Sequence, residues 1–95
     1  MSDDGKFEWA LASGMLGLAR GRGVAHLDAV LKLDGERYHV TVERDLATVE
    51  PDDDGGIHEE WHEHVIVKAG PQTRPRIVLA GPARLIERVY DEWTR

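Results

Sequence analysis

Cysteine is absent from this sequence, and its absence excludes several classes of protein at once. Without a thiol, the chain has no disulfide scaffold, no Cys-ligated zinc or iron–sulfur cluster and no thiol nucleophile. Long hydrophobic runs are also missing, since no apolar stretch approaches the roughly 18–20 residues that span a bilayer. The first residues, Met-Ser-Asp-Asp, lack the basic and apolar regions of a secretory signal. We therefore expect a cytoplasmic protein with no membrane contact.

What is present indicates one small folded domain. The chain has 95 residues, of which 41% are apolar and 32% are charged, and its formal net charge is −6. This apolar share is too high for a disordered tail, and the length is that of a single domain. We predict one small acidic α+β domain over residues 1–95.

The charge is unevenly distributed, because one window of the chain lacks both Lys and Arg. Between Arg44 and Lys68 there is no Lys or Arg, while eight carboxylates and three of the five histidines fall there. Such a segment repels a phosphate backbone, so we expect no direct binding of nucleic acid. It attracts cations and basic protein surfaces. A solvated acidic loop that only keeps the protein soluble is the alternative interpretation.

The clearest structural signal is a β-hairpin around the pair Asp34-Gly35. Residues 24–33 and 37–43 are rich in β-forming side chains and flank this pair, which is typical of a two-residue type I′ turn. Pairing Leu33 with Glu36 brings the apolar side chains together on one face of the hairpin and the polar ones together on the other. A register shifted by one residue would mix them, so the pattern predicts this register.

Two shorter strands and a helix are predicted in the second half of the chain. The β-branched runs 65–69 and 76–80 each end in Ala-Gly-Pro, a sequence that stops a strand. Gly81 then serves as the N-cap of a helix, with Pro82 at its first position. The apolar stripe of this helix recurs at helical spacing in Leu85, Ile86, Val89, Tyr90 and Trp93.

The N-terminal segment is interpreted as a helix from about Phe7 to Arg20, with a strand over residues 7–12 as the alternative. Its narrow side of small residues predicts close packing along that side, formed by Ala10, Ser13, Gly14 and Gly17. The order of elements predicts a four-stranded, mostly antiparallel sheet with the N-terminal and C-terminal helices packed on one face, α-β-β-β-β-α. Segment 44–57 is either a loop or a continuation of two strands into a long exposed hairpin.

One short motif matches a known catalytic pattern. The run 58–62, His-Glu-Glu-Trp-His, fits His-Glu-x-x-His, which on a helix places two imidazoles on one face for zinc and Glu59 as general base. A third ligand would come from Glu87 or Asp91. The motif therefore predicts a zinc-dependent hydrolase as the alternative function. Apart from this alternative, we expect no catalysis and no cofactor.

As a strand, the same segment would form a different site. His58, His62 and His64 then project from one face, and His62 with His64 could share a structural metal without a catalytic base. Nearby, Asp52 and Asp54 match the first two ligands of a calcium-binding loop. Residue 56 of the same run is glycine, where that loop needs an oxygen ligand, and a tight acidic turn explains the run better.

The main functional hypothesis is a small acidic binding protein without catalysis, of the inhibitor, immunity or adaptor type. Its segment 45–67 would engage a basic surface of a protein partner, and the protein itself would be a monomer or a homodimer. Trp61 would either anchor the inner face of the third strand or stand exposed as a binding hot spot. The residues predicted to contact the partner are Glu50, Asp52, Asp53, Asp54, Glu59, Glu60, Trp61 and Glu63.

Overall fold

The part of the chain that the structure describes forms four strands and two helices. The computed structural model describes the backbone of residues 4–94 and the side chains of residues 7–46, 49–89, 91 and 92. In chain order the elements are α1 (Asp4–Arg22), β1 (His26–Leu33), β2 (Glu36–Pro51), β3 (Ile57–Ala69), β4 (Arg76–Pro82) and α2 (Ala83–Thr94). The strands form one four-stranded sheet in the order β1-β2-β3-β4, each antiparallel to its neighbour. The predicted α-β-β-β-β-α architecture of the α+β class is confirmed.

The β1–β2 hairpin has the predicted turn and register. Asp34 and Gly35 both have positive φ angles, 51° and 82°, as a type I′ turn requires at its two central residues. Leu33 pairs with Glu36, and the pairing continues without a shift to His26 opposite Glu43. The inner face of the hairpin is consequently apolar and its outer face polar, because side chains alternate along each strand.

Both helices cover the inner face of the sheet and enclose the core. Along α1, Ala12, Leu16 and Ala19 are buried at a spacing of four and three residues, which confirms the helix over the alternative strand. From α2, Ile86 is the largest fully buried side chain. The sheet contributes a block of valines from its two central strands, each with no exposed surface: Val40, Val42, Val65 and Val67.

Two details of the helices differ from the prediction. The small side of α1 does not mediate close packing, since Gly14 and Gly17 are exposed and a β-carbon on either would meet no atom within 4 Å outside its own helical backbone. The helix packs instead through the stripe that contains Leu16. Helix α2 begins at Ala83, while Pro82 is the last residue of β4 and pairs with His64. The side chains of Tyr90 and Trp93, which we placed on the apolar stripe of α2, lie outside the described residues.

The two central strands are much longer than the sequence predicts. Strand β1 stops pairing at Glu43 and strand β4 at His64, whereas β2 and β3 remain paired with each other out to Pro51 and Ile57. Beyond this point the hairpin has no neighbouring strand on either side. We call residues 45–62 the arm. The long hairpin, one of the two alternatives for segment 44–57, is therefore the correct one, and the protein measures 51 × 32 × 18 Å along its principal axes.

Within residues 4–94, neither helix has an apolar segment of the length and hydropathy that a membrane-spanning helix needs.

Candidate functional site

The tip of the arm is a tight turn built from three aspartates and two glycines. The amide of Gly55 donates to the carbonyl of Asp52 at 3.1 Å, and the amide of Asp52 donates to the carbonyl of Gly56 at 2.9 Å. Gly55 has a φ of 86°, a conformation in which other residues are strained. The residues that follow are extended in β3, so this segment forms a β-turn and not the helix-flanked loop of an EF-hand.

The two faces of the arm differ in chemistry. On the outer face, which continues the open side of the sheet, His58 and His62 lie opposite Glu50 and Asp45. On the inner face, which continues the side covered by the helices, the large apolar residues of the arm stand next to Glu59. They are Leu46, Val49, Ile57 and Trp61.

A β-bulge creates this arrangement. Leu46 pairs with Trp61, but Thr48 pairs with Glu60, so β2 carries one extra residue at position 47. Residues three apart on a regular strand point to opposite faces. The extra residue restores Leu46 and Val49 to the same face, since their partners on β3 are two residues apart. The bulge thereby gathers the apolar residues of the arm on its inner face.

The arm is strongly anionic, and most of its carboxylates have no basic partner among the described side chains. Residues 45–62 contain seven Asp and Glu residues and no Lys or Arg. Among the described residues, no basic nitrogen lies within 4.0 Å of the carboxylates of five predicted contact residues, Glu50, Asp52, Asp53, Asp54 and Glu60. The structure therefore brings these five together on one projection, available to a partner.

Glu63 behaves differently from the other predicted contact residues. Its side chain is only 8% exposed, at the base of the arm, and lies between two arginines. Nε of Arg44 donates to one carboxylate oxygen at 2.8 Å, and Nε of Arg20 donates to the same oxygen at 3.1 Å. Arg20 also pairs with Glu87 of α2. Glu63 thus joins both helices to the central strands and is not free to meet a partner.

The charges of this cluster stabilise one another. The hydrogen bonds from Arg20, followed by those from Arg44, lower the pKa of Glu63 against the opposing effect of burial. The pKa of Arg20 is raised, chiefly by its bond to Glu63. Arg44 is 9% exposed and also donates to the carbonyl of Val24 at 3.1 Å, so the turn after α1 is held by the same group.

Trp61 has the inner-face position predicted for it and is also partly exposed. It lies on the inner face, immediately beyond Glu63, but the helices do not extend over it and it remains 38% exposed. The guanidinium carbon of Arg44 lies 4.5 Å from the centre of its ring, a cation–π contact. Its indole nitrogen donates to the carboxylate of Glu59 at 3.3 Å. These contacts hold the indole in place with part of its surface exposed.

The helical interpretation of the His-Glu-x-x-His motif is wrong, because residues 57–69 form a strand. Four residues apart on a strand, His58 and His62 are separated by about 13 Å, too far to bind one ion. Glu59 points to the opposite face from both, and the proposed third ligand Glu87 is paired with Arg20. The motif therefore has no metalloprotease geometry.

The strand interpretation places His62 and His64 next to each other on the outer face, as expected. Within residues 4–94, no group of three or more His, Asp or Glu side chains is arranged to hold a metal ion.

A cluster on the outer face of the sheet was not anticipated. The register places all five histidines on this face, and two of them share Asp28. Nε2 of His39 lies 2.9 Å from Oδ1 of Asp28, and Thr41 donates to the same oxygen at 2.7 Å. His26 contacts Asp28 and lies 3.0 Å from Glu43. The hairpin register already predicted that these residues are neighbours, although their role as a network was not recognised.

This network shifts two pKa values. The hydrogen bond from Thr41, followed by those from His26 and His39, lowers the pKa of Asp28 to about 2. Asp28, and to a smaller extent Glu43, raises the pKa of His26. Because all these side chains are substantially exposed, solvent screens the interactions and their contribution to stability is small.

Comparison of the chain with protein-family models, curated proteins and solved structures found no match.

Substituting Glu63→Gln should destabilise the protein, because Arg20 and Arg44 lose the carboxylate that they share at the base of the arm. We expect the free energy of unfolding in urea at neutral pH to fall by about 1–2 kcal/mol. Glu60→Gln is the matched control, three residues away on the same strand and exposed, and should change stability by less than about 0.5 kcal/mol. Equal effects of the two substitutions would contradict the assigned role of Glu63.

The effect of Glu63→Gln should also depend on pH. Since the pKa of Glu63 in the folded protein lies below its ordinary value of 4.5, its charge stabilises the fold fully above pH 4.5. This stabilisation is lost as the pH falls through the folded-state pKa. The difference in unfolding free energy between the two proteins should therefore shrink in acid, and a constant difference would show that the ion pairs are not its cause.

His26 should titrate above its ordinary pKa of 6.5, because protonation lets it donate to Asp28 and Glu43. The Asp28→Asn substitution should lower this pKa more than Glu43→Gln does, since Asp28 is the larger cause of the shift. The chemical shifts of the imidazole carbon-bound protons, followed by NMR against pH, measure all three values. A His26 pKa that is the same in the Asp28→Asn variant would contradict the network.

Proposed function

We propose that this protein is a small acidic binding protein without catalysis, of the inhibitor, immunity or adaptor type. Its arm engages a basic surface of a protein partner. One observation carries the proposal: the seven carboxylates of residues 45–62 stand on a projection that contains no Lys or Arg. A charged surface of this kind speeds association with an oppositely charged partner and repels partners of like charge.

The position of the arm supports this proposal. It extends past the last pairs of β1 and β4, so a partner can approach the arm without contacting the body of the protein. Its six residue pairs give it a length of about 20 Å, enough to cross a binding surface of ordinary size. The carboxylates at the tip and on the outer face are separated from the arginines at the base, which are engaged with Glu63.

The charge of the arm also limits the kinds of macromolecule that it can bind. Nucleic acids and anionic lipid surfaces are repelled by it, which leaves a basic protein surface as the natural ligand. The lack of cysteine suits a reducing compartment, and we place the protein in the cytoplasm, as a monomer or a homodimer.

The proposal is tested by neutralising the same number of carboxylates either on the arm or elsewhere on the protein. We expect an arm variant with four neutralised carboxylates to bind an oligolysine peptide about 10-fold more weakly and to associate with it more slowly than the parent protein. A body variant with four neutralised carboxylates elsewhere has the same net charge and should lose less than about 3-fold. The arm variant carries Asp52→Asn, Asp53→Asn, Asp54→Asn and Glu60→Gln, and the body variant carries Glu8→Gln, Asp34→Asn, Glu36→Gln and Glu92→Gln.

Stopped-flow fluorescence and calorimetry at low and at physiological ionic strength provide the measurements. Asp34→Asn keeps the hairpin turn, because Asn-Gly is favoured in type I′ turns. Added salt should weaken binding of the parent protein and of the body variant more than that of the arm variant. Equal losses in the two variants would mean that only net charge matters and would refute the arm as the binding surface.

A further inference from the structure

The inner face of the arm exposes large apolar side chains that the protein itself does not cover. Leu46 is 42% exposed, Val49 55%, Ile57 70% and Trp61 38%. The same face is completely covered further along the sheet, where Val65 and Val67 are buried beneath the helices. The apolar pattern of the core thus continues for about 13 Å beyond the helical layer, along a segment that is otherwise acidic.

An uncovered apolar face is unfavourable on an isolated two-stranded hairpin. Such a hairpin is marginally stable alone, and solvent-facing polar residues would suit it better on both sides. Contiguous apolar side chains rimmed by charged ones are typical of surfaces that bind another macromolecule. The bulge at position 47 strengthens this interpretation, because it brings Leu46 and Val49 to one side.

The spacing of the apolar residues fits an α-helix lying along the arm. They form three rows: Leu46 with Trp61, then Val49 beside Glu59, then Ile57 beside Pro51. Successive rows along a strand are about 6.6 Å apart, and side chains at i and i+4 of a helix rise about 6 Å. A helix with apolar residues at i, i+4 and i+8 would therefore meet one row with each of three successive turns.

The charge of the arm indicates which residues should flank the apolar stripe of a helix bound there. A second copy of the chain laid on this face would bring together two arms that each carry seven carboxylates, which is repulsive. A helix flanked by Lys and Arg would instead place its cations beside Glu59 on the face itself and beside the aspartates of the tip. At the base of the arm, Trp61 also lines a cleft of about 350 Å³ together with Pro82 and Arg84. The row formed by Leu46 and Trp61 therefore ends at a concave surface.

We propose that the inner face of the arm binds a basic amphipathic helix of the partner protein. The helix places its apolar stripe on the three rows and its basic residues on the surrounding carboxylates. This inference rests on the proposed function, since it takes the arm to be the binding surface, and it adds the secondary structure and apolar stripe of the ligand.

Two synthetic peptides of about 15 residues test the proposal. One has Leu at i, i+4 and i+8 with Lys and Arg on its flanks, and the other has the same composition in an order without an apolar stripe. We expect the amphipathic peptide to bind about 10-fold more tightly in calorimetry and to gain helical circular dichroism on binding. Because the two peptides carry the same charge, this difference reports the apolar face alone.

Paired substitutions on the protein locate the contact. Val49→Thr with Ile57→Thr keeps β-branched residues in the strands and removes apolar surface from the arm, and should abolish the preference for the amphipathic peptide. Val30→Thr with Ile77→Thr is the matched control on exposed positions of the body, and should preserve the preference. Trp61 and Leu46 are left unchanged, since Trp61 also contacts Arg44.

Each other outcome is informative. If both peptides bind equally and both are weakened by neutralising the arm, the arm is a purely electrostatic surface, so this inference fails and the proposed function stands. If neither peptide binds, both fail. If sedimentation shows a dimer that Val49→Thr with Ile57→Thr dissociates, the inner face belongs to a second copy and the inference is overturned.

Discussion

The ion-pair cluster around Glu63 is the interaction on which the shape of this protein depends. It lies where the four-stranded body becomes a two-stranded arm, and it connects the end of α1, the turn that follows α1, both central strands and α2 through Arg20, Arg44 and Glu87. Glu63 is nearly buried, so its charge is tolerated only because two guanidinium groups satisfy it. Glu63 is thus the last residue of β3 that the helices cover, and the apolar core ends there.

Beyond this cluster the same two strands serve a different purpose. In the body, alternation buries one face under the helices and leaves the other polar, as in any sheet covered on one side. In the arm, side chains still alternate between the two faces, but the helices do not pack on either one. One face therefore carries carboxylates and histidines, and the other exposes apolar residues. Trp61 links the two regions, because it stacks on Arg44 of the cluster and also forms the first row of the exposed face.

The sequence predicted the parts of the fold that local rules determine. The Asp34-Gly35 turn and strict alternation specified the β1–β2 register residue by residue, and the order of elements specified the architecture. The sequence left segment 44–57 open between a loop and a long hairpin, because its strands have charged residues on both faces and a bulge at position 47 breaks the period of two in β2. The engagement of Glu63 by Arg20 joins residues 43 positions apart, and no local pattern distinguishes it from its acidic neighbours.

The central claim is that the Glu63 cluster fixes the direction in which the arm projects. A distance measurement by pulsed electron paramagnetic resonance tests it directly, since the chain has no cysteine and labels can be placed at Asp53→Cys on the tip and Arg88→Cys on α2. We predict a single narrow distance distribution that broadens when Glu63→Gln is added. A distribution equally broad, or equally narrow, in both proteins would contradict the claim.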